Sequence, residues 1–580
     1  MKKKRLLFLI FVAVLLASFA YMSLTDHSKI SAADKGAIPA LFSEAAVSGQ
    51  PDRTNDRTII RQRHITINLG LLMKADGSPK PDSKGLTVSL NLFDDVALTA
   101  VIERTESVSP GSYSFIGRVA GIEQSSVILS VYDSIMSGSI TLPGASYQVR
   151  YVSGGVHAAY QIDPSAYPRE APPIPIYPTG KDSSQNSIPA GRDSGSTIDI
   201  LVAYTSAARS AQGGTSAMQS LINLAVSETN TGYSQSQVNQ RVRLVHTTEV
   251  SYTESSDTDA GWSTDLSRLR STSDGYMDNI HTLRDQYGAD LVVLIIAKGY
   301  YCGLGYMMAS LSGTFESYAF SMISRSCVAG PQYSFAHEMG HNMGSNHDHA
   351  NASDVRAADV NAVGDQVYPY SFGYQAPSKA FRTIMAYPCS GTSCPRINYW
   401  SNPGLQWVAT GELLGVAGEG PTAADNHRSL NNTAFTVANF RQQTTATTTS
   451  TTSTTSTTST TTIDPFNIGG GGGCFIATAA YGSYLDPHVV VLRDFRDRYL
   501  QTNRPGQYFI AWYYHNSPPV ADLIRNNEPL KMMTRALLAP VILAIQYPAL
   551  FVSLVILLSL VIVFVAKRER QGYRHRKAVI

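Results

Sequence analysis

The chain of 580 residues contains the run His337-Glu-Met-Gly-His341-Asn-Met-Gly344-Ser-Asn-His347-Asp348, which constrains its fold and chemistry more than any other stretch. On a helix, His337 and His341 are four residues apart, so their imidazoles project from one face and can bind a single cation. Gly344 lets the chain leave the helix sharply, because glycine tolerates positive φ without steric cost. We expect this turn to bring His347 back as a third ligand.

Glu338 favours a hydrolytic metal site over a structural one. Three neutral imidazoles suit Zn²⁺ and leave a fourth coordination position for water. Glu338 follows the first ligand, where it can take a proton from that water. A structural zinc would more often be closed by a fourth protein ligand, commonly cysteine, and the run contains none. The simpler alternative is a polar helix with solvated histidines, but the fixed offsets of Gly344 and His347 make a chance match rare.

These residues resemble the motif of the metzincin metallopeptidases. Asp348, directly after the third histidine, is similar to the adamalysin/reprolysin (ADAM-like) branch. Thr383-Ile-Met385-Ala-Tyr387 is the candidate Met-turn, in which Met385 would form a hydrophobic floor under the metal. The resemblance implies one catalytic Zn²⁺ on the three histidines, Glu338 as general base and protein or peptide substrates. It also implies that Gly303–Ala309 is the edge strand that pairs with the substrate.

Two side chains near the motif have open roles. Tyr387 follows Met385 by two residues, which resembles the astacin and serralysin branches, where such a tyrosine can ligate zinc or stabilise the oxyanion. A purely structural tyrosine is the alternative. His349 is an extra imidazole, for which a solvated or supporting role is favoured over metal binding.

Strand-like and helical patterns alternate through residues 197–442 and predict an α/β catalytic domain, with a mixed twisted sheet packed against helices. The resemblance adds the zinc helix and the Met-turn to this domain. Predicted strands are Ile198–Tyr204, Val242–Val250 and Asp290–Ala297, and predicted helices are Ala217–Thr231, Tyr276–Tyr287, the zinc helix at about Gln332–Met343, and Asn432–Arg441.

Residues 58–167 show period-two alternation with Gly-rich breaks, which predicts a β-rich domain. It resembles metallopeptidase propeptides, and an accessory domain retained in the mature enzyme is the alternative. Residues 168–196 are first Pro-rich and then polar, which predicts a linker open to processing. No cysteine precedes Cys302, so inhibition by a propeptide thiolate on zinc is excluded.

The five cysteines all lie in the second half of the chain. Export would permit disulfides. We prefer the pairs Cys302–Cys327 and Cys389–Cys394 for locality only, and other pairings among these four stay open. Cys474 would remain unpaired.

The two ends of the chain predict export and membrane anchoring. Residues 1–20 have a basic start, an apolar run and small residues near Ala20, as in a secretory signal peptide; an uncleaved anchor is the alternative. Residues 547–566 contain no charged residue and are long enough to cross a bilayer as a helix. The basic tail 567–580 favours the cytoplasm, which would place the catalytic domain outside the cell, anchored or released by processing.

Two further segments connect the catalytic domain to this helix. Residues 443–468 are dominated by Thr and Ser and predict a disordered stalk, which could carry O-glycans. Residues 469–535 begin with a glycine run and Cys474-Phe-Ile, and they resemble the CFI-box sorting region of exported bacterial proteins. In that comparison Cys474 would be a processing or attachment point, and a merely unpaired thiol is the alternative.

Composition excludes some functions and leaves others open. The formal net charge of +2 gives no basic bias, so nucleic acid is not an expected partner. A surface adhesion or binding protein on a metalloprotease-derived scaffold is the rival prediction, because the N-terminal domain, stalk and sorting region fit both. A maturation factor that acts only on itself or on one partner also stays open. The sequence predicts neither the cleavage specificity nor the oligomeric state.

Overall fold

The computed structural model describes residues 38–45, 56–80, 84–177, 195–352, 366–391, 394–442, 475–481, 487–500 and 527–546, with five single residues between 506 and 524. The chain forms two compact units that divide after residue 447. Several predicted features lie outside the described residues: the signal peptide (1–20), the stalk (443–468), Cys474, the membrane helix (547–566) and the basic tail (567–580).

The N-terminal part of the first unit is an antiparallel sheet of nine strands. These are β1 Phe42–Glu44, β2 Ile59–Ile67, β3 Thr87–Phe93, β4 Val96–Ser107, β5 Ser112–Val119, β6 Ser126–Tyr132, β7 Ile135–Leu142, β8 Ala145–Ser153 and β9 Val156–Ile162. They pair in the order β1-β2-β9-β8-β7-β6-β5-β4-β3. The two ends of this pairing order approach each other, because a bridge joins Ala40, just before β1, to Ser89 of β3. Val88, Leu90 and Leu92 of β3 are all buried, as the period-two pattern predicts.

The second sheet belongs to the catalytic part and has six strands. These are β10 Ile174–Ile176, β11 Thr197–Thr205, β12 Arg241–Val250, β13 Leu291–Ile296, β14 Gly303–Met308 and β15 Phe320–Ser324. They lie in the order β10-β14-β15-β13-β11-β12, and all neighbours are parallel except β14 and β15. This confirms the predicted mixed sheet. The continuous apolar run of β13 is buried on both faces, as expected of a central parallel strand.

Helices pack on this sheet and close the domain. They are α1 Ser206–Gln212, α2 Thr215–Gln235, α3 Asp259–Arg270, α4 Asn279–Tyr287, α5 Ser334–Asn342 and α6 Asn426–Val437. Four short strands form two further two-stranded sheets, β16 Asn346–Asp348 with β17 Phe372–Gly373, and β18 Asn402–Trp407 with β19 Glu412–Leu414.

The N-terminal sheet docks directly on helix α2. Ser220 donates a hydrogen bond to the carbonyl of Ser130 at 2.9 Å, and Ser227 donates to the hydroxyl of Ser114 at 2.7 Å. Ile116 of the N-terminal sheet belongs to the same apolar cluster as the catalytic strands. The two parts therefore share a core in the uncut chain.

Both preferred disulfides are present. Cys302 and Cys327 join the start of β14 to the segment before α5, and Cys389 and Cys394 close a loop after the candidate Met-turn. The sequence left other pairings of these four cysteines open, and the fold determines the pairing by bringing each of these two pairs together.

The second unit contains helices α7 Phe475–Tyr481, α8 Pro487–Phe495 and α9 Glu528–Gln546. None of the helices that the structure describes is long and apolar enough to cross a membrane. The predicted membrane helix at 547–566 is not among them, so it stays a prediction, as does the sorting region.

Candidate functional site

Helix α5 is the zinc helix predicted from sequence, and every residue in it is buried. The helix ends at Asn342. Gly344, two residues later, adopts φ +86°, and the Ser345 amide donates to the Gly340 carbonyl at 2.9 Å. A residue with a Cβ would be strained at this φ, so glycine permits the sharp exit. The chain then enters β16, which carries His347 back towards the helix.

The three imidazoles of His337, His341 and His347 converge. Their Nε2 atoms lie 3.1–3.2 Å from one another, and together they form a candidate metal site. Three nitrogen ligands at 2.0–2.1 Å from a tetrahedral ion would be separated by about 3.3 Å. The spacing therefore fits one tetrahedral cation such as Zn²⁺.

The opposite nitrogens of two of these rings are fixed by backbone carbonyls. The Nδ1 atoms of His337 and His341 lie 2.9 Å and 2.8 Å from the carbonyl oxygens of Ile384 and Ser345. Donation from Nδ1 selects the tautomer whose Nε2 lone pair faces a metal. Burial holds the pKa of His337 and His347 well below the usual value and that of His341 at about 3, so all three rings are neutral, as metal binding requires.

Glu338 is fully buried beside this triad. Neither of its carboxylate oxygens has a hydrogen-bond partner among the described residues. Its carboxylate packs against Gly303 and Gly305 of β14, where any Cβ would crowd the Glu338 oxygens. Burial, and then the charge of Glu170, raise the pKa of Glu338 well above the usual value, while Arg396 lowers it. A cation held by the imidazoles would oppose this rise and favour the ionised carboxylate, which has no partner among the described residues and can accept a proton.

Met385 lies under the zinc helix, as expected of a Met-turn. It is fully buried, and a Cβ built on Gly340 of the helix would lie 2.6 Å from its sulfur and 2.9 Å from the Trp400 ring. The helix can approach this floor only because residue 340 has no side chain. Ile384, which precedes Met385, supplies the carbonyl that orients His337.

We expect overpacking in Gly340→Ala to lower the free energy of unfolding by about 1–3 kcal/mol. The higher helix propensity of alanine would offset about 1 kcal/mol of this loss. Urea unfolding measures this change. Gly420→Ala is a matched control, because nothing lies within 4 Å of a Cβ there. Equal stability of the two variants would contradict close packing between helix and floor.

The remaining predicted residues surround the triad. Asp348 accepts a hydrogen bond from the Tyr387 amide at 3.0 Å and so ties β16 to the Met-turn. The Tyr387 ring packs on His347 with 3.9 Å between ring centroids, and its hydroxyl donates to the Glu170 carbonyl at 2.9 Å. His349 lies outside the candidate metal site; its Nε2 is 2.8 Å from the Ala423 carbonyl and its ring packs on Phe372.

The segment between the two sheets passes over this site, which the sequence did not predict. Its strand β10 pairs in parallel with β14, the predicted substrate-binding edge strand. Closer to the triad, the Ala171 amide donates to the Gly303 carbonyl at 2.9 Å. Glu170, Ser334 and Arg396 meet here and were not singled out from sequence. The one available signal was Glu170 itself, an acid within the Pro-rich apolar stretch 167–177.

Comparisons with known proteins agree with this geometry. The sequence model described as Metallo-peptidase family M12 matches residues 194–401. The peptidyl-Asp metalloendopeptidase of Stenotrophomonas maltophilia (strain R551-3) is 41% identical over 323 residues, which cover 54% of this chain and 70% of the relative. That of Xanthomonas campestris pv. campestris is 33% identical over 419 residues, which cover 70% of this chain and 92% of the relative.

A solved structure, metalloproteinase-II from Bacteroides fragilis, is 14% identical and aligns with a TM-score of 0.31 over 48% of this chain and 86% of that chain. This likeness is too weak to bear on function. The relatives confirm the predicted resemblance to reprolysin-like metallopeptidases. They also favour an enzyme over the rival prediction of an adhesion protein.

Proposed function

This chain belongs to metallopeptidase family M12 and is a metalloendopeptidase, and on that premise we propose that it is a zinc enzyme that cleaves proteins at aspartyl residues outside the cell. The observation that carries the proposal is the convergence of three neutral imidazole nitrogens, two of them on the helix that also carries the buried, partner-free carboxylate of Glu338. His337, His341 and His347 would hold the ion, and Glu338 would act as general base.

Zinc is the metal that this donor set fits best, because three neutral nitrogens with an open fourth position are typical of catalytic zinc. When bound, it supplies Lewis-acid polarisation of the scissile carbonyl and a more acidic water molecule. Glu338 would take the proton of that water and pass it to the leaving amine. Tyr387 already donates to a carbonyl oxygen in the uncut chain, which supports a role in oxyanion binding once a substrate replaces that carbonyl.

The aspartyl preference is proposed from the relatives, which are named peptidyl-Asp metalloendopeptidases. Export is proposed from the signal-like residues 1–20, and anchoring from the apolar residues 547–566 and the basic tail. Cys474 would serve the sorting region 469–535 as a processing or attachment point.

We expect the purified full chain, as isolated and after cleavage within residues 178–194, to cut peptides at bonds next to Asp. The metal chelator 1,10-phenanthroline should abolish cleavage, and added Zn²⁺ should restore it, because the reaction would need the acidic water molecule that a bound metal supplies. Mass spectrometry of the products gives the cut sites. Cleavage indifferent to the chelator would contradict the metal mechanism, and cut sites unrelated to Asp would contradict the proposed specificity.

A further inference from the structure

Two buried arginines lie near the three histidines of the candidate metal site. Arg382 and Arg396 are each 3% exposed, and both donate to the carbonyl of Ala386, between Met385 and Tyr387. Both line a cavity of about 200 Å³ together with Glu170 and Gln332. Burial, and then the positive charge of Arg396, lower the pKa of Arg382, so the two guanidinium groups repel each other.

One carboxylate forms an ion pair with Arg396, and it comes from the segment that joins the two sheets. The Glu170 carboxylate accepts from Arg396 at 2.7 Å, with both side chains almost fully buried, and from the Ser334 hydroxyl at 2.8 Å. Its second oxygen has no partner within the described residues. Among those residues, Arg382 forms no ion pair and donates only to backbone carbonyls.

The backbone of Glu170 is held in the same cleft. Its carbonyl accepts from the Tyr387 hydroxyl, which packs on His347. The next residue, Ala171, pairs with Gly303, against which the Glu338 carboxylate packs. Glu170 therefore places its carbonyl beside the candidate metal site and its carboxylate in the cavity lined by Arg382 and Arg396, which we call the arginine pocket. An acidic residue of a substrate would present the same two groups.

Loss of this segment would remove the one carboxylate that, among the described residues, is hydrogen-bonded to Arg396. A buried guanidinium without a partner is unfavourable, so the pocket favours another carboxylate once Glu170 leaves. The guanidinium of Arg396 and the hydroxyl of Ser334 are already oriented to bind a carboxylate. Arg396 is anchored by the carbonyls of Gln332 and Ala386, and Ser334 lies in the first turn of the zinc helix.

We infer that Arg396 and Ser334 form the subsite that binds the acidic side chain of the substrate, and that Glu170 occupies this subsite in the uncut chain as a built-in competitor. This inference rests on the proposed function and extends it, since it names the residues that recognise aspartate. Arg382 reinforces the positive potential of the subsite from its place beside Ala386.

The test uses the full chain cut within residues 178–194 and two peptides that differ only by Asp or Asn at the recognised position. We expect Arg396→Met to lower the ratio of kcat/KM for the Asp peptide to that for the Asn peptide by at least about 10-fold, because a charge-assisted hydrogen bond is lost. Arg396→Lys should recover part of the ratio. Arg284→Met is the matched control: Arg284 is also buried and donates to backbone carbonyls, of Ala289 and Asp290.

A ratio that Arg396→Met leaves unchanged would overturn the subsite, because a purely structural arginine affects both peptides equally. Failure of the unaltered chain to cut either peptide would instead defeat the proposed function. If Arg396→Met does not fold, Glu170→Gln in the uncut chain tests the subsite instead. It should lower the KM for the Asp peptide by about 10-fold, since the competitor loses its charge, and an unchanged KM would overturn the inference.

Discussion

Replacing Glu338 by Gln is expected to lower kcat/KM by about 10³-fold while the metal stays bound. Gln is nearly isosteric with Glu but cannot accept the proton of the attacking water, and general-base catalysis contributes about 10²–10⁴-fold. The side chain is not among the three imidazoles that converge, so the metal site should remain intact. Steady-state kinetics on an Asp-containing peptide give the activity, and atomic absorption gives the metal content.

A matched control separates this loss from the cost of altering any buried acid. Glu228 on α2 is also buried, and its two carboxylate oxygens share the N–H of Gly330. Burial raises the pKa of Glu228 to about 8, so at pH 7 Gln mimics the neutral form that already predominates. Glu228→Gln should therefore keep most of the activity. Similar kcat/KM values for the two variants would remove Glu338 from the mechanism.

Local spacing made the candidate metal site predictable from sequence. His337, His341, Gly344 and His347 lie within eleven residues, so helical geometry and one glycine turn nearly determine how they meet. The Met-turn was predictable only through resemblance, because Met385 reaches the helix through tertiary packing against Gly340.

The first and last residues of the helices were less predictable than the presence of the helices. The zinc helix begins at Ser334 rather than at about Gln332, because Tyr333 adopts φ +53° just before it. The last helix of the domain spans Asn426–Val437 rather than Asn432–Arg441. Asp425 caps it by accepting from the Arg428 amide, an N-cap signal that the periodicity alone did not reveal.

The arginine pocket could not be predicted because its parts are distant in sequence. Glu170 and Arg396 are 226 residues apart, and each is an ordinary charged residue until the fold buries it. Glu170 lies in the predicted linker 168–196. The described residues 168–177 of this linker add strand β10 to the catalytic sheet and cover the site, and processing of the linker stays a prediction.

Removing one imidazole should abolish both metal binding and activity. We expect His341→Ala to lower metal affinity by more than the roughly 10–100-fold that follows loss of a residue that only orients a ligand, since a direct ligand is removed. Two nitrogens cannot fill the three protein positions of a catalytic zinc site, so dialysed protein should contain little metal and show no peptide cleavage. Atomic absorption after dialysis and a peptide assay measure the two effects.

His349→Ala is the control for this loss, because it also removes a histidine near the motif. His349 contacts the Ala423 carbonyl and Phe372 rather than the converging nitrogens, so its loss should leave the metal content near that of the unaltered chain. The comparison with Glu338→Gln then separates two roles: that variant keeps the metal and loses turnover, whereas His341→Ala loses both. Full metal content in His341→Ala would show that the three nitrogens converge for packing and not to hold an ion.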